Sequence, residues 1–335
     1  MKRLAVSVGC PSGIGPEVAV VAATRLRGAR VALVGDVGAV LRAADARGVP
    51  RARIEVVDAP RFASRDRVAL WQPTAPLTAR DRRPGAPSIA GGAAQLAWID
   101  AACDWVRGGQ ADALVTGPVS KDAVVRSRAP GSVRFTGHTE HLQRRLRARE
   151  TVMAFVGEHL ATALVTTHMP LSKVPRAVTS SGVARTAFWL AVLLRRLGQR
   201  RPRVAVAALN PHAGEAGLLG REESLRIAPG IGRARARLVR EGVRAVLEGP
   251  VPAETAFRLA AAGRFDGVVA MYHDQATIPM KLVAFGDAVN VTMGLSIPRT
   301  SVDHGTAYDI AWQGKADARG MLAAMRLGER LCRTR

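Results

Sequence analysis

The 335 residues carry 49 Lys and Arg against 27 Asp and Glu, a formal charge of +22, with 48% hydrophobic and only 4% aromatic residues. Length and apolar content exclude a disordered chain and suit two α/β lobes with cores built from Ala, Val, Leu and Ile. The surplus charge is mostly Arg, scattered through helical-looking stretches (143–149, 195–203, 233–244) without base-stacking aromatics, which reads as solvated helix faces and argues against a nucleic-acid module.

Along the chain, the basic start Met1-Lys-Arg resembles the charged end of a secretory signal. Its apolar stretch 4–8 is broken by Gly9 and Pro11 and is too short for one. Runs 4–8, 31–35, 113–117, 162–167, 204–211, 267–272 and 289–293 are short and apolar, often followed by Gly, Pro or Asn. They predict buried parallel strands with functional turns at their carboxyl ends. Amphipathic stretches 92–107, 183–197 and 253–262 predict covering helices, so the class is α/β, doubly wound, with ligands at strand carboxyl ends. The Pro-, Gly- and Arg-rich stretch 72–92 predicts a loop flanking a lobe boundary. No run reaches the ~18 apolar residues of a membrane span. Three cysteines (Cys10, Cys103, Cys332) without a pairing pattern point to a reducing compartment, the cytoplasm.

Gly13-Ile-Gly15 after the first strand, with Asp36 closing the second, imitates a dinucleotide fingerprint, but Val18 stands where its third glycine belongs. An ordinary strand-to-helix turn, with Glu17 near the positive helix end, accounts for it. Of the seven histidines, three directly follow apolar strands: Thr167-His168-Met169, Pro211-His212-Ala213 and Tyr272-His273-Asp274. Each alone reads as a satisfied structural residue. Together at strand ends they also read as a three-imidazole divalent metal site (Zn, Co or similar), with Asp274 and Glu215 as orienting carboxylates. Thr116-Gly-Pro-Val-Ser-Lys121 and Phe135-Thr-Gly-His138-Thr139-Glu140 are glycine turns running into helices, suited to an anion or to plain capping by Ser120 and Thr139. Lys281, Asn290 and Arg299 are placed on loops around one strand, where they would gather on a phosphate. Only five of the 49 basic residues are Lys, and Lys121, Lys281 and Lys315 fall in Gly-rich segments.

These segments, with Gly9-Cys-Pro-Ser-Gly-Ile-Gly-Pro-Glu17 and Arg299-Thr-Ser-Val-Asp-His-Gly-Thr306, resemble the ordered motifs of the 4-hydroxythreonine-4-phosphate dehydrogenase family from about residue 4 to residue 325. The resemblance implies a two-lobed, non-Rossmann fold of the isocitrate and isopropylmalate dehydrogenase kind, made of α/β/α sandwiches with the active site in the interlobe cleft. The lobes are expected at 1–120 plus 290–335 and at 121–289. It implies His168, His212 and His273 as ligands of one divalent metal (Zn, Co or Mg), shared between the protomers of a homodimer. It further implies His138, Thr139, Lys281, Asn290 and Arg299 as contacts to a small phosphorylated hydroxy-amino acid. His304, Gly305 and Thr306 resemble the adenosine-binding loop of isocitrate and isopropylmalate dehydrogenases and would hold NAD or NADP. Neither nucleic acid nor membrane is an expected partner.

The implied reaction is NAD(P)-linked oxidation of 4-phosphooxy-L-threonine to 2-amino-3-oxo-4-phosphooxybutanoate. Decarboxylation to 3-amino-2-oxopropyl phosphate follows, in pyridoxine 5'-phosphate biosynthesis. Asp274 and Lys281 are the candidate proton acceptors. Cys10 replaces the family's usual Asp, Thr136 its Pro and Ala276 its Gly, which leaves open a related substrate such as D-threonate 4-phosphate. A three-histidine zinc hydrolase and a nucleic-acid-binding protein resting on charge alone are the rivals from other classes.

Overall fold

A strand segment made of Val, Ala and Leu without charge can be covered on both faces, and β1 (Lys2–Ser7) is of this kind beyond its basic start Lys2-Arg3, with Leu4, Ala5 and Val6 fully buried. The computed structural model describes residues 1–64, 66–283 and 286–332. It sorts into two compact units, Met1–Arg149 with Leu295–Arg335, and Glu150–Gly294.

The first unit begins β1, α1 (Gly15–Arg25), β2 (Ala29–Val34), α2 (Val37–Ala46), β3 (Ile54–Val57), β4 (Val68–Trp71), α3 (Ile89–Arg107), β5 (Ala113–Thr116), α4 (Lys121–Arg126) and α5 (His138–Arg145). The second unit comprises β6 (Val152–Val156), β7 (Ala161–Leu164), α6 (Val174–Ala177), α7 (Ser180–Arg196), β8 (Arg203–Ala207), α8 (Ala228–Arg240), β9 (Val246–Val251), α9 (Ala253–Ala261), β10 (Gly267–Ala270), α10 (His273–Val283) and β11 (Val289–Met293). The chain then returns to the first unit with β12 (Arg299–Val302) and α11 (Arg319–Leu331).

In the first unit the strands run parallel in the order β3-β4-β2-β1-β5-β12. Helix α1 packs on α2 and α11, and α3 packs on β1 and α4. Helix starts follow local capping: Ser88 Oγ accepts from the Gly91 N–H and Ser120 Oγ from that of Ala123. Asp36 likewise caps α2 through the Ala39 N–H at 2.7 Å and also accepts from Leu77 N–H at 3.0 Å. The acid that imitates a ribose ligand is therefore a buried structural cap.

The second unit holds a mixed sheet, β11-β6-β7-β10-β8-β9. β11, β6 and β7 are antiparallel neighbours, and β7, β10, β8 and β9 are parallel. Its core gathers Phe155, Leu160, Leu164, Phe257, Phe265 and Met280. Among the described residues no single helix is long and apolar enough to cross a membrane.

The division of the chain differs from the expected one. Residues 121–149 belong to the first unit because α4 lies directly on α3, where a Cβ at Gly92 would collide with the Ala123 carbonyl. Arg145 of α5 also pairs with Asp100 and Asp104 of α3 at 3.1 and 2.5 Å. Residues 290–294 stay in the second unit because β11 is zipped to β6 from Val289↔Val156 to Met293↔Val152. The irregular stretch before α3 lies inside the first unit and marks no boundary.

Candidate active site

Because β7, β10 and β8 are parallel neighbours, the turns that leave them share one edge of the second unit's sheet. The turn after β7 carries His168, α10 opens on His273 after β10, and the turn after β8 carries His212. The rings of His168 and His273 lie 5.3 Å apart between centroids. Both line a cavity of about 540 Å³ with Thr167, Leu171, Val174 and Tyr272. Asp274 Oδ1 is 2.6 Å from His273 Nδ1. An ionised carboxylate only accepts, so in the neutral imidazole Nδ1 carries the proton and Nε2 keeps its lone pair. A divalent cation needs that tautomer, and the carboxylate strengthens the imidazole as a ligand. Gln275 braces this edge: its Oε1 accepts from Met271 N–H at 2.6 Å and its Nε2 donates to the Ala208 carbonyl at 2.9 Å.

His212 is exposed, on a turn in which residues 212–216 all adopt left-handed dihedrals. Within one chain, among the described residues, no three His, Cys, Asp or Glu form a group able to hold an ion. Two of the three sequence-predicted ligands thus come together. The His168–His273 pair, with Asp274 fixing one tautomer, fits a divalent ion as a partial ligand set.

Lys281 is exposed and sits eight residues after His273 on the same helix, about 12 Å along its axis. Helix α10 runs through Pro279, which places Lys281 in its last turn and not on a loop. Asn290 is half-buried in β11, in register with Phe155, and Arg299 opens β12. The loop placement expected for all three is therefore corrected. Lys281 and Asn290 belong to the second unit and Arg299 to the first.

In the first unit, Arg299 is 3% exposed and its Nη2 donates to Thr116 Oγ1 at 2.6 Å. Burial lowers its pKa to about 9, against the opposing pull of Glu140. His138, the first residue of α5, has an Nε2 sealed from solvent with no hydrogen-bond partner among the described residues. Burial holds its pKa well below the usual histidine range, aided by the nearby cations Arg299 and Lys121. Thr139 follows, buried, as the second residue of the helix that Gly137 precedes, so it is not the cap. Lys121 opens α4, and its Nζ is 3.9 Å from where a Cβ at Gly137 would sit. A neutral imidazole among cations makes a hollow suited to an oxyanion. Lys121 was missing from the predicted contacts, although its rarity as a Lys in a glycine turn was the available signal. His141 is structural, with Nε2 2.6 Å from Asp100 Oδ1.

After β12, His304 and Gly305 are exposed, and the Thr306 carbonyl accepts from Ile14 N–H at 3.0 Å. A Cβ at Gly13 would lie 2.7 Å from that carbonyl oxygen, so glycine is what lets the two loops touch. Glu17 is fully buried and accepts from the N–H groups of Trp312 (2.7 Å) and Gly314 (3.2 Å). Cys10 Sγ lies 3.5 Å from Tyr308 Oη, and burial raises the thiol's pKa and lifts the phenol's to about 12. The glycine-rich turn at 9–17 therefore buttresses the 304–314 loop.

Residues 27–328 match the family described as the pyridoxal phosphate biosynthetic protein PdxA. The 4-hydroxythreonine-4-phosphate dehydrogenase of Geobacter metallireducens is 41% identical over 338 residues, covering 99% of this chain and 96% of that protein. The crystal structure of the Klebsiella pneumoniae 4-hydroxythreonine-4-phosphate dehydrogenase is 35% identical, with a TM-score of 0.84 over 99% of this chain and 100% of that one. A terephthalate 1,2-cis-dihydrodiol dehydrogenase from Burkholderia xenovorans is 29% identical, with a TM-score of 0.65 and 98% of both chains covered. The chain belongs to the PdxA family and is an oxidoreductase of that family's α/β fold.

Proposed function

We propose that this PdxA-family dehydrogenase oxidises the C3 hydroxyl of 4-phosphooxy-L-threonine with NAD or NADP. The product, 2-amino-3-oxo-4-phosphooxybutanoate, loses carbon dioxide to give 3-amino-2-oxopropyl phosphate, in the cytoplasmic synthesis of pyridoxine 5'-phosphate. One divalent ion (Zn, Co or Mg) per site is held by His168, His212 and His273. The reading is carried by the His168–His273 pair, whose Asp274 contact leaves an imidazole nitrogen open to a cation. Among the described residues of one chain His212 does not join the His168–His273 pair in a three-ligand group; the active unit in this reading is a homodimer with sites at the protomer interface.

A divalent ion held by these histidines would supply Lewis-acid chemistry at the substrate's C3 oxygen, and a bound nicotinamide would supply the hydride acceptor. The chain's own residues orient and hold. Arg299, His138 and Thr139, with Lys281 and Asn290, bind the phosphate and carboxylate of the substrate. His138 enters as a neutral imidazole, able to donate to a phosphate oxygen without a desolvated charge. Asp274 keeps the proton on His273 Nδ1, and with that contact made Lys281 is the other candidate to take the alcohol's proton. The loop of His304, Gly305 and Thr306, braced from the 9–17 turn, holds the dinucleotide.

The test is reduction of NAD and of NADP, followed by absorbance, over a panel of 4-phosphooxy-L-threonine, D-threonate 4-phosphate and an unphosphorylated cis-dihydrodiol, with and without chelator. The expected result is chelator-sensitive turnover of 4-phosphooxy-L-threonine, and loss of metal and turnover together in His212→Ala. Near-wild-type turnover by chelated His212→Ala sinks the metal role. Turnover confined to another panel member moves the chain to a different substrate within the family.

A further inference from the structure

The turn that carries His212 is unusual: His212, Ala213, Glu215 and Ala216 take φ values of 51°, 55°, 42° and 55°, with Gly214 at 81°. L-residues disfavour that region, so a run of them persists only where the surroundings hold it. Backbone bonds from Leu218 N–H to the Glu215 carbonyl and from Leu219 N–H to the Gly214 carbonyl, both 3.1 Å, close the turn, and one carboxylate anchors its entry. Glu223 is 5% exposed, and its Oε1 accepts from two successive backbone N–H groups, Leu209 at 2.9 Å and Asn210 at 2.8 Å. Its Oε2 accepts from Asn210 Nδ2 at 3.0 Å and would lie 2.8 Å from a Cβ at Gly214. The carboxylate therefore sits in the hollow of the turn, bonded to its entry and in contact with its middle. Glu223 is also the first residue of a π-helical turn, Glu223–Ile227, that leads into α8. Such turns are rare and concentrate at functional sites. Glu222 adds a second acceptor for Asn210 Nδ2 at 2.8 Å.

We propose that Glu223 is the positioning residue for His212: it holds the left-handed turn that presents this imidazole to the metal. The proposal rests on the reading of His212 as a metal ligand. Glu223 touches neither substrate nor ion; it acts by fixing the backbone from which His212 projects, as an outer partner fixes a ligand's aim.

The experiment compares the full-length wild type with Glu223→Gln, Asn210→Ala and His212→Ala. Co²⁺ and Zn²⁺ binding is measured by equilibrium dialysis, amide hydrogen exchange over 208–220 on the metal-free protein, and dinucleotide affinity alongside. Glutamine keeps the shape of Glu223 but offers an amide where Asn210 Nδ2 needs an acceptor. The expected result for Glu223→Gln is metal binding weakened about 10- to 100-fold, with faster exchange at 208–220 and unchanged dinucleotide affinity. Asn210→Ala, which leaves the carboxylate in place, gives a smaller change in the same direction. Wild-type metal affinity in Glu223→Gln, with exchange either raised or unchanged, overturns the proposal while His212→Ala still loses metal. If His212→Ala binds metal as the wild type does, the underlying ligand reading fails, and this positioning role fails with it. Should Glu223→Gln fail to fold, Asn210→Ala decides: unchanged metal affinity overturns the proposal and weakened affinity supports it.

Discussion

Replacing Glu17 by Ala removes the acceptor for two N–H groups, those of Trp312 and Gly314, in the loop that continues from Thr306. A hydrogen bond to a charged partner contributes about 1.5–3 kcal/mol. Trp312 and Gly314 are half-buried, so water replaces part of the loss and the lower end applies, about 3 kcal/mol for the two together. Trp312 adds to the demand on the carboxylate, because it is a non-glycine residue at φ 66° that needs external support. For a unit of this size each kcal/mol moves the melting point by about 2–4 °C, so the first unit's transition falls by about 6–12 °C. Glu17→Gln keeps the volume and one acceptor oxygen but turns an amide toward the second donor, and loses about half as much. Arg47, 4.0 Å from Glu17, stays satisfied in both variants because its Nη1 also donates to the Gly314 and Ala316 carbonyls at 2.7 Å. The measurements are scanning calorimetry, with the two units fitted separately, and fluorescence titration with the reduced dinucleotide. Affinity drops about tenfold in Glu17→Ala, equivalent to about 1.4 kcal/mol, because the loop holding His304–Thr306 loses its far anchor. A melting point within about 2 °C of wild type, with unchanged dinucleotide affinity, would refute the reasoning.

Three further outcomes follow from the site. His138 is held neutral in the folded chain, so its folded pKa lies below the ~6.5 of the unfolded chain. Between the two values the unfolded state binds the extra proton, so this group costs nothing above about pH 6.5 and stability falls as pH drops below it, by up to about 1.4 kcal/mol per pH unit. Urea unfolding at a series of pH values checks this, and His138→Gln should flatten that part of the profile. Arg299→Lys loses the planar fork and its 2.6 Å bond to Thr116; we expect kcat/KM to fall about 10- to 100-fold, mostly through KM, with dinucleotide affinity retained. Asp274→Asn removes the acceptor charge from His273 Nδ1 and should weaken Zn²⁺ binding about 10- to 100-fold in dialysis, with no change in the melting point of the metal-free chain.

Strand ends were legible at seven apolar runs, although β4 (Val68–Trp71) and β6 (Val152–Val156), equally unbroken and apolar, are absent from the predicted runs. The run 289–293 is β11 residue for residue, and 113–117 overshoots β5 by one. β3, β9 and β12 escape that pattern for separate reasons. Glu55 of β3, at the sheet's edge, is paired with Arg61 at 2.7 Å. β9 carries Glu248 and Pro250, which an edge strand tolerates and a central one does not. β12 begins with a buried Arg whose acceptor, Thr116, lies 183 residues earlier. The histidines were legible for a related reason: position after a strand is a local signal, and parallel pairing turns it into a shared edge. The approach of His168 to His273, and the separate setting of His212, depend on turn dihedrals that Asn-Pro-His-Ala-Gly-Glu-Ala does not spell out, since two alanines there adopt the left-handed form. Distance along the chain decides the rest. Asp36 and Glu17 are both acids at a helix start, and the same local rule describes both. Asp36 bonds three residues away and caps its helix as that rule says. Glu17 bonds 295 residues away, so its role becomes readable only once the fold brings the two loops together.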